Sequence, residues 1–460
     1  MHFIMTINKS LNSIVWGWPM IILLLGTGIL LFIATNGLVI RNFNYIFKST
    51  FLKLFKKDTT GSGELTAFQA VSTALAATVG TGNIVGVATA ISIGGPGAIF
   101  WLWVSAFFGM TTKFAEVTLA IAYREKNPVT GAYVGGPMYY LKNGVKCKAL
   151  GSVFAIFSAL AALGIGNMTQ ANSISMTLKD SFGLSPYLVG FVLIILTSLI
   201  IIRGINSIGK VTEKLVPFMA IFYILACLFI IFSNINKLGP ILTSIFANAF
   251  NPSAAAGGIA GISLKSSMKA GISRGLFSNE AGLGSGPIAH AASKTDHPVR
   301  QGLWGVFEVL VDSFIICSLT SFVILISDNY KEGLEGAAIT TQSFNSGIPY
   351  GAYIVSISLT LFAFSTIIGW YYYGEKSLEY LFGSKGSKFY KLIYLPIIFL
   401  GAVGGLKEIW SISDTMNGLM AIPNLIGLIV LTPTLKRLIK NFFEDPDRIR
   451  QINEYEDLLR

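Results

Sequence analysis

Along this chain, long apolar runs alternate with short charged segments, and the runs are longer than the core helices of a water-soluble protein. Eleven can be marked, at about residues 14–35, 67–93, 97–123, 150–178, 186–202, 211–233, 263–291, 301–326, 350–378, 390–406 and 412–433. About 20 apolar residues cross a hydrocarbon core of roughly 30 Å, so the runs predict membrane-spanning helices. None alternates polar and apolar residues in the manner of a barrel strand, which leaves an all-α multi-pass membrane protein. The stretch LGPILTSIFANAFNPSAAAGG at 238–258 is apolar but punctuated by Gly, Pro and Asn. It reads as an outer amphipathic or re-entrant segment.

Two runs are densely interrupted. The second holds VGTGNIVG at 79–86, and the seventh holds GISRGLFSNEAGLGSG at 271–286. Each glycine inside a helix costs about 1 kcal/mol against alanine. Irregular backbone at membrane depth is tolerated only where protein buries it or a cavity receives it. With the first run set aside, the other ten form two groups of five, each opening on an interrupted helix. Odd parity makes the second group inverted relative to the first. The predicted organisation is an N-terminal helix and basic segment (1–60), a first five-helix repeat (61–235), an outer connection (236–260), a second, inverted repeat (261–435) and a cytoplasmic tail (436–460). Paired interrupted helices in inverted halves are the sequence pointer to a midplane transport site. The half-helix starting near Gly80–Asn83 offers N–H groups and a positive end to a carboxylate, and the carbonyls freed by the break suit a hard cation.

Charge orients the chain. The net charge of +11 suggests nucleic acid less than it suggests cytoplasmic loop bias. With the N-terminus outside, only Lys9, Lys179, Lys237, Lys331 and Lys407 fall on the outer side, while the segment 328–335 there is net acidic. The arrangement is therefore N-out and C-in. The first run has no convincing cleavage site and reads as a retained span. Cys147, Cys227 and Cys317 are too far apart to suggest a metal site or a disulfide framework.

Several polar residues lie inside the runs. Asn167 and Gln170 share one helical side, and Ser365 and Thr366 stand one turn before Trp370. Lys113 lies three residues before Glu116, and Glu308 four before Asp312. Buried ionisable groups need partners, and Asp312 is expected to pair with Lys or Arg rather than to carry a proton or a cation. Arg274 and Glu280 flank the second interruption as a structural pair or a local gate. GISRG at 271–275 matches a nucleophile-elbow pattern without its strand-to-helix context, and VGTGNIVG departs from the dinucleotide fingerprint by one residue. His290, Asp296 and His297 fit a solvated inner loop better than a metal site. Nothing here points to an enzyme.

The strings TALAATVGTGNIVGVATAISIGGPGAIFWLWVSAFFGMTTKFAE, GGPMYYL, GIGNMTQAN, RGLFSNEAGLGSGPIAHAASKTDHP, FAFSTIIGWYYYGEK and DTMNGLMAIPNLIGL resemble, in order and over nearly the whole chain, the alanine/glycine:cation symporter family. The resemblance implies a leucine-transporter-like fold, with two inverted five-helix repeats plus one extra N-terminal helix. It also implies import of alanine or glycine with sodium across the cell membrane, with sodium as coupling ion and no cofactor. The N–H groups of Gly80, Thr81 and Gly82 would hold the substrate carboxylate. The Thr78 carbonyl, Phe277, Ser278 and Asn279 would lie near the amino group, and Gln170 and Trp370 would complete a small pocket. Sodium would bind the carbonyls of Ala76, Val79 and Phe362 and the hydroxyls of Ser365 and Thr366, with Asn83 marking a possible second sodium. The rival is proton-coupled symport through Asp312 or Glu116, and a channel fits less well. The residues favour no particular oligomeric state.

Overall fold

A computed structural model describes residues 2–54, 61–250, 264–331, 333–404, 407–451 and 453–459, and each expected run falls on helix within them. The first run is longer than its apolar core suggests. Helix α1 (His2–Val15) turns at Gly17 into α2 (Trp18–Ala34). The second run is α3 (Ala67–Thr78) and α4 (Val87–Gly94), joined through a wide π turn at Gly82–Gly86. Next come α5 (Gly97–Ala122), α6 (Lys148–Phe182), α7 (Pro186–Ile201) and α8 (Ile205–Ser233). The second half follows with α9 (Ile235–Phe250), α10 (Leu264–Asn279), α11 (Pro298–Ser327), α12 (Gly351–Phe382) and α13 (Ser384–Ala402). The chain ends in α14 (Lys407–Leu419), α15 (Ala421–Val430) and α16 (Thr432–Glu444).

Among the described residues, six helices are long and apolar enough to cross a membrane, or up to eight if α3 with α4 and residues 411–430 with α16 each count as one bent span. Of the other expected spans, α7 is a shorter apolar helix, α10 stops early, and α13 begins with Lys385, Lys388 and Lys391. The expected tail from 436 begins as helix, because α16 continues after a bend of 59°. Helix α9 is amphipathic, with Ile241, Ile245, Asn248 and Ala249 on its buried side. The Trp101 indole donates to the Ala249 carbonyl at 3.0 Å. Residues 251–263 lie outside the described residues. A hairpin at Glu125–Lys126 and Tyr133–Val134 and a helix at Ala337–Gly347 had no counterpart in the sequence pattern.

The breaks differ in construction. Helix α3 starts on a capping box in which Thr66 and Gln69 exchange bonds of 3.1 Å. It ends at Val79, whose extended backbone (ψ 92°) turns the chain by 52°. The second break falls later than expected. Residues 271–279 are helical, and the chain opens only at Glu280, Gly282 and Gly284, with φ of 55°, 93° and 85°. Only one helical turn, Pro287–His290, follows before residues 292–293 meet residues 64–65.

Candidate functional site

The two breaks face each other across a cavity of about 20 Å³, little more than one water needs. Seven of the nine expected substrate residues line it: Thr78, Gly80, Thr81, Gly82, Gln170, Phe277 and Trp370. Ala77, Ile165, Glu280, Thr366 and Asn417 complete the wall. Ser278 and Asn279 turn their side chains elsewhere. The Ser278 hydroxyl donates to both Asp312 carboxylate oxygens at 3.1 and 3.0 Å, and the Asn279 amide donates to Ser313 Oγ at 3.0 Å.

One side of the cavity offers donors. The N–H groups of Thr81 and Gly82 find no partner among the described residues, and they stand at the start of a helical half whose dipole favours negative charge. The Gly80 N–H does not join them, because it donates to Asn83 Oδ1 at 2.9 Å. The other side offers acceptors. Gln170 Nε2 donates to the Ile165 carbonyl at 3.1 Å and to Thr81 Oγ1 at 3.4 Å, which leaves Gln170 Oε1 buried without a donor. Asn417 Oδ1 is buried and unpartnered in the same way. Buried acceptors left without donors are uncommon and call for an explanation. Here they and the free N–H groups line one cavity, with the polarity that a zwitterion needs. Asn417, in DTMNGLM, carried no local signal of this place.

A cluster of oxygens lies behind Gly80. In a continuous helix the Ala76 carbonyl would accept from the Gly80 N–H, which Asn83 has taken. It accepts instead from Ser365 Oγ at 3.0 Å, while Ser365 and Thr366 also reach the Phe362 carbonyl at 2.8 and 3.0 Å. Four of the five expected sodium ligands thus converge where α12 touches α3. Contact is close because both chains are bare there. A Cβ on Gly80 would stand 2.6 Å from Thr366 Oγ1, and one on Gly369 would stand 2.8 Å from the Ala77 Cβ.

Phe277 closes one side of the cavity. Its ring also lines a separate vestibule of about 360 Å³ with Asn12, Trp16, Arg274 and Asp414, and Trp16 meets it edge-on at 6.0 Å. Phe277 thus lines both the cavity and the vestibule. Arg274 lies over the outer face of Phe277, 6.0 Å from the ring. It forms no gate with Glu280, which accepts from Trp370 Nε1 at 3.1 Å and from Ser285. The opposite side is closed by backbone. Residues 62–65 lie against 292–295, and the Arg124 guanidinium donates to the carbonyls of Ser62, Ala291 and Ser293 at 2.7–3.1 Å.

The remaining buried charges sit between these closures. Asp312 has no Lys or Arg partner among the described residues; its carboxylate is held by Asn83, Ser278 and Ser313. Lys113 pairs with Glu308 at 3.1 Å rather than with Glu116, and Glu308 also meets His290 at 3.1 Å. Glu116 supports the second break, accepting from the Gly282 N–H at 3.0 Å and from Asn424 at 2.6 Å. The expected solvated loop is therefore interior: His290, Asp296 and His297 are all buried. No group of three or more His, Cys, Asp or Glu side chains is arranged for a transition metal among the described residues.

The family model of the sodium:alanine symporter family matches residues 1–455. The chain is 48% identical to the sodium/alanine symporter AgcS of Methanococcus maripaludis, over 96% of this chain and 98% of that one. It is 36% identical to the probable sodium/glutamine symporter GlnT of Bacillus subtilis, over 98% and 93%. Among solved structures, MhsT in complex with L-phenylalanine superposes with a TM-score of 0.59 at 14% identity, covering 85% of this chain and 95% of that one. The fold is thus the leucine-transporter fold, in a multi-pass protein of the cell membrane that is a carrier and not an enzyme. The chain belongs to the sodium:alanine symporter family.

Proposed function

We propose that the chain imports a small neutral amino acid, alanine or glycine, together with sodium by alternating access. The observation that carries this reading is the bonding of Ala76 and Gly80. Once Asn83 takes the Gly80 N–H, the Ala76 carbonyl is released toward Ser365, so the turn that presents N–H groups to the cavity also presents carbonyl oxygen to α12. Sodium held by Ala76, Val79, Phe362, Ser365 and Thr366 would fix this unwound backbone, and the fixed backbone would hold a carboxylate at Thr81 and Gly82. Each ligand would then favour the other. The α-ammonium would answer Gln170 Oε1 and Asn417 Oδ1, while Trp370 and Phe277 leave room for a short side chain only.

Alternation would follow from the unequal closures. A cavity of about 20 Å³ is too small for alanine, so loading requires Phe277 to swing away, and release requires residues 62–65 to part from 292–295. Labelled L-alanine uptake into proteoliposomes at controlled membrane potential tests the reading. An inward sodium gradient is expected to drive concentrative uptake that equal potassium does not, and uptake driven by a pH gradient without sodium would overturn it.

A further inference from the structure

We propose that the basic pocket between the cytoplasmic end of α2 and the polar face of α16 binds the phosphate headgroup of an anionic phospholipid from the inner leaflet. The pocket is a surface cavity of about 550 Å³ whose charged lining is Arg41, Lys436, Arg437, Lys440 and one acid, Glu444. All four cations are exposed, and Arg437 alone has a side-chain hydrogen-bond partner among the described residues, Thr434 Oγ1 at 3.2 Å. Four like charges around one pocket with a single acid repel each other unless an anion joins them. A phosphate suits this wall, since guanidinium forks its oxygens and ammonium groups serve as point charges beside it.

The setting points to a lipid rather than to a free anion. Helix α16 buries Leu435, Leu438, Ile439 and Phe442 against the protein, which fixes its basic side outward. It bends by 59° away from the preceding helix, and its charged residues belong to the side that the Lys and Arg bias assigns to the cytoplasm. Beside Ala34 and Arg41 in the lining, Ile33, Ile40 and Phe43 are 68%, 60% and 43% exposed. A soluble phosphate would leave that apolar surface uncovered, whereas acyl chains below a bound headgroup would cover it.

Native mass spectrometry of the full chain tests the proposal, after extraction from equal mixtures of phosphatidylglycerol and phosphatidylcholine with identical acyl chains. The protein is expected to retain phosphatidylglycerol selectively. R41Q/K436Q/K440Q should lower that selectivity on the order of tenfold or more, as three basic groups at a membrane surface warrant. K385Q/K388Q/K391Q removes the same charge from α13 and should leave it unchanged. Equal retention of both lipids, equal loss in the two variants, or displacement by millimolar inorganic phosphate would overturn the proposal. Sodium-driven uptake does not enter this readout, so its outcome is independent of the transport reading.

Discussion

The carboxylate of Asp312 accepts a hydrogen bond of 2.6 Å from the Asn83 side-chain amide, and the oxygen of that amide accepts the Gly80 N–H at 2.9 Å. The same carboxylate accepts from Ser278 on α10. One buried acid therefore ties the first interrupted helix to the second and sets which way Asn83 points.

That relay predicts the result of exchanging the two side chains. Asn83→Asp alone places two carboxylates in contact, and uptake should fall by about tenfold or more, the scale of a lost buried bond to a charged group. The double change N83D/D312N restores a carboxylate to receive the Gly80 N–H and an amide to donate to it. Initial rates of alanine uptake at matched protein should recover in the double variant. A double variant no better than Asn83→Asp would show that the relay does not hold the site.

Gly80 and Gly82 differ in what surrounds them. A Cβ at Gly80 would stand 2.6 Å from Thr366 Oγ1, whereas the nearest atom to one at Gly82 is 3.4 Å away. Gly80→Ala should lose most uptake while the protein still reaches the membrane, and Gly82→Ala should keep a substantial part of it. Adding Thr366→Ala to Gly80→Ala should relieve the clash without restoring sodium dependence, since the hydroxyl is an expected ligand. Uptake and surface expression of the three variants check this.

His297, buried at the start of α11, is expected to make the fold acid-sensitive. Burial pushes its imidazole down to about 4, outweighing the Asn441 hydrogen bond and nearby Asp296, which favour the charged form; Arg450 and Arg300 also disfavour it. Its Nδ1 accepts the Val299 N–H at 3.1 Å and its ring packs on Phe442 and Tyr455. Since the folded value lies below the ordinary 6.5, the unfolded chain binds more protons between these limits. The stabilisation is therefore present above about pH 6.5 and is lost as the pH falls toward 4. Hydrogen exchange in 445–459 should accelerate over that window. His297→Asn should remove the dependence, and an unchanged acid profile in that variant would assign it elsewhere.

Local chemistry made the first break and the Ser365 and Thr366 hydroxyls legible in sequence, since glycine and hydroxyl groups in apolar runs have few uses. The second break was harder to place because its glycines serve two purposes. A Cβ on Gly271 would stand 2.0 Å from the Ala98 carbonyl and one on Gly275 2.3 Å from Ser105 Oγ, so these two let α10 pack on α5. Gly282 and Gly284 instead join Glu280 in the positive φ that breaks the chain. Spacing along the sequence does not separate the two uses. His290, His297 and Asn417 escaped for a related reason: other elements surround them, α11 through Glu308 and Gln301 at His290, and Asn441 and Tyr455 at His297.

The most direct test of shared backbone between ion and substrate is alanine affinity measured against sodium concentration in the wild type and in Ser365→Ala. The wild type should bind alanine more tightly as sodium rises, with alanine raising sodium affinity by the same factor. Ser365→Ala should still bind alanine at high concentration, with an affinity that sodium no longer changes. Full sodium dependence retained in that variant would contradict the account.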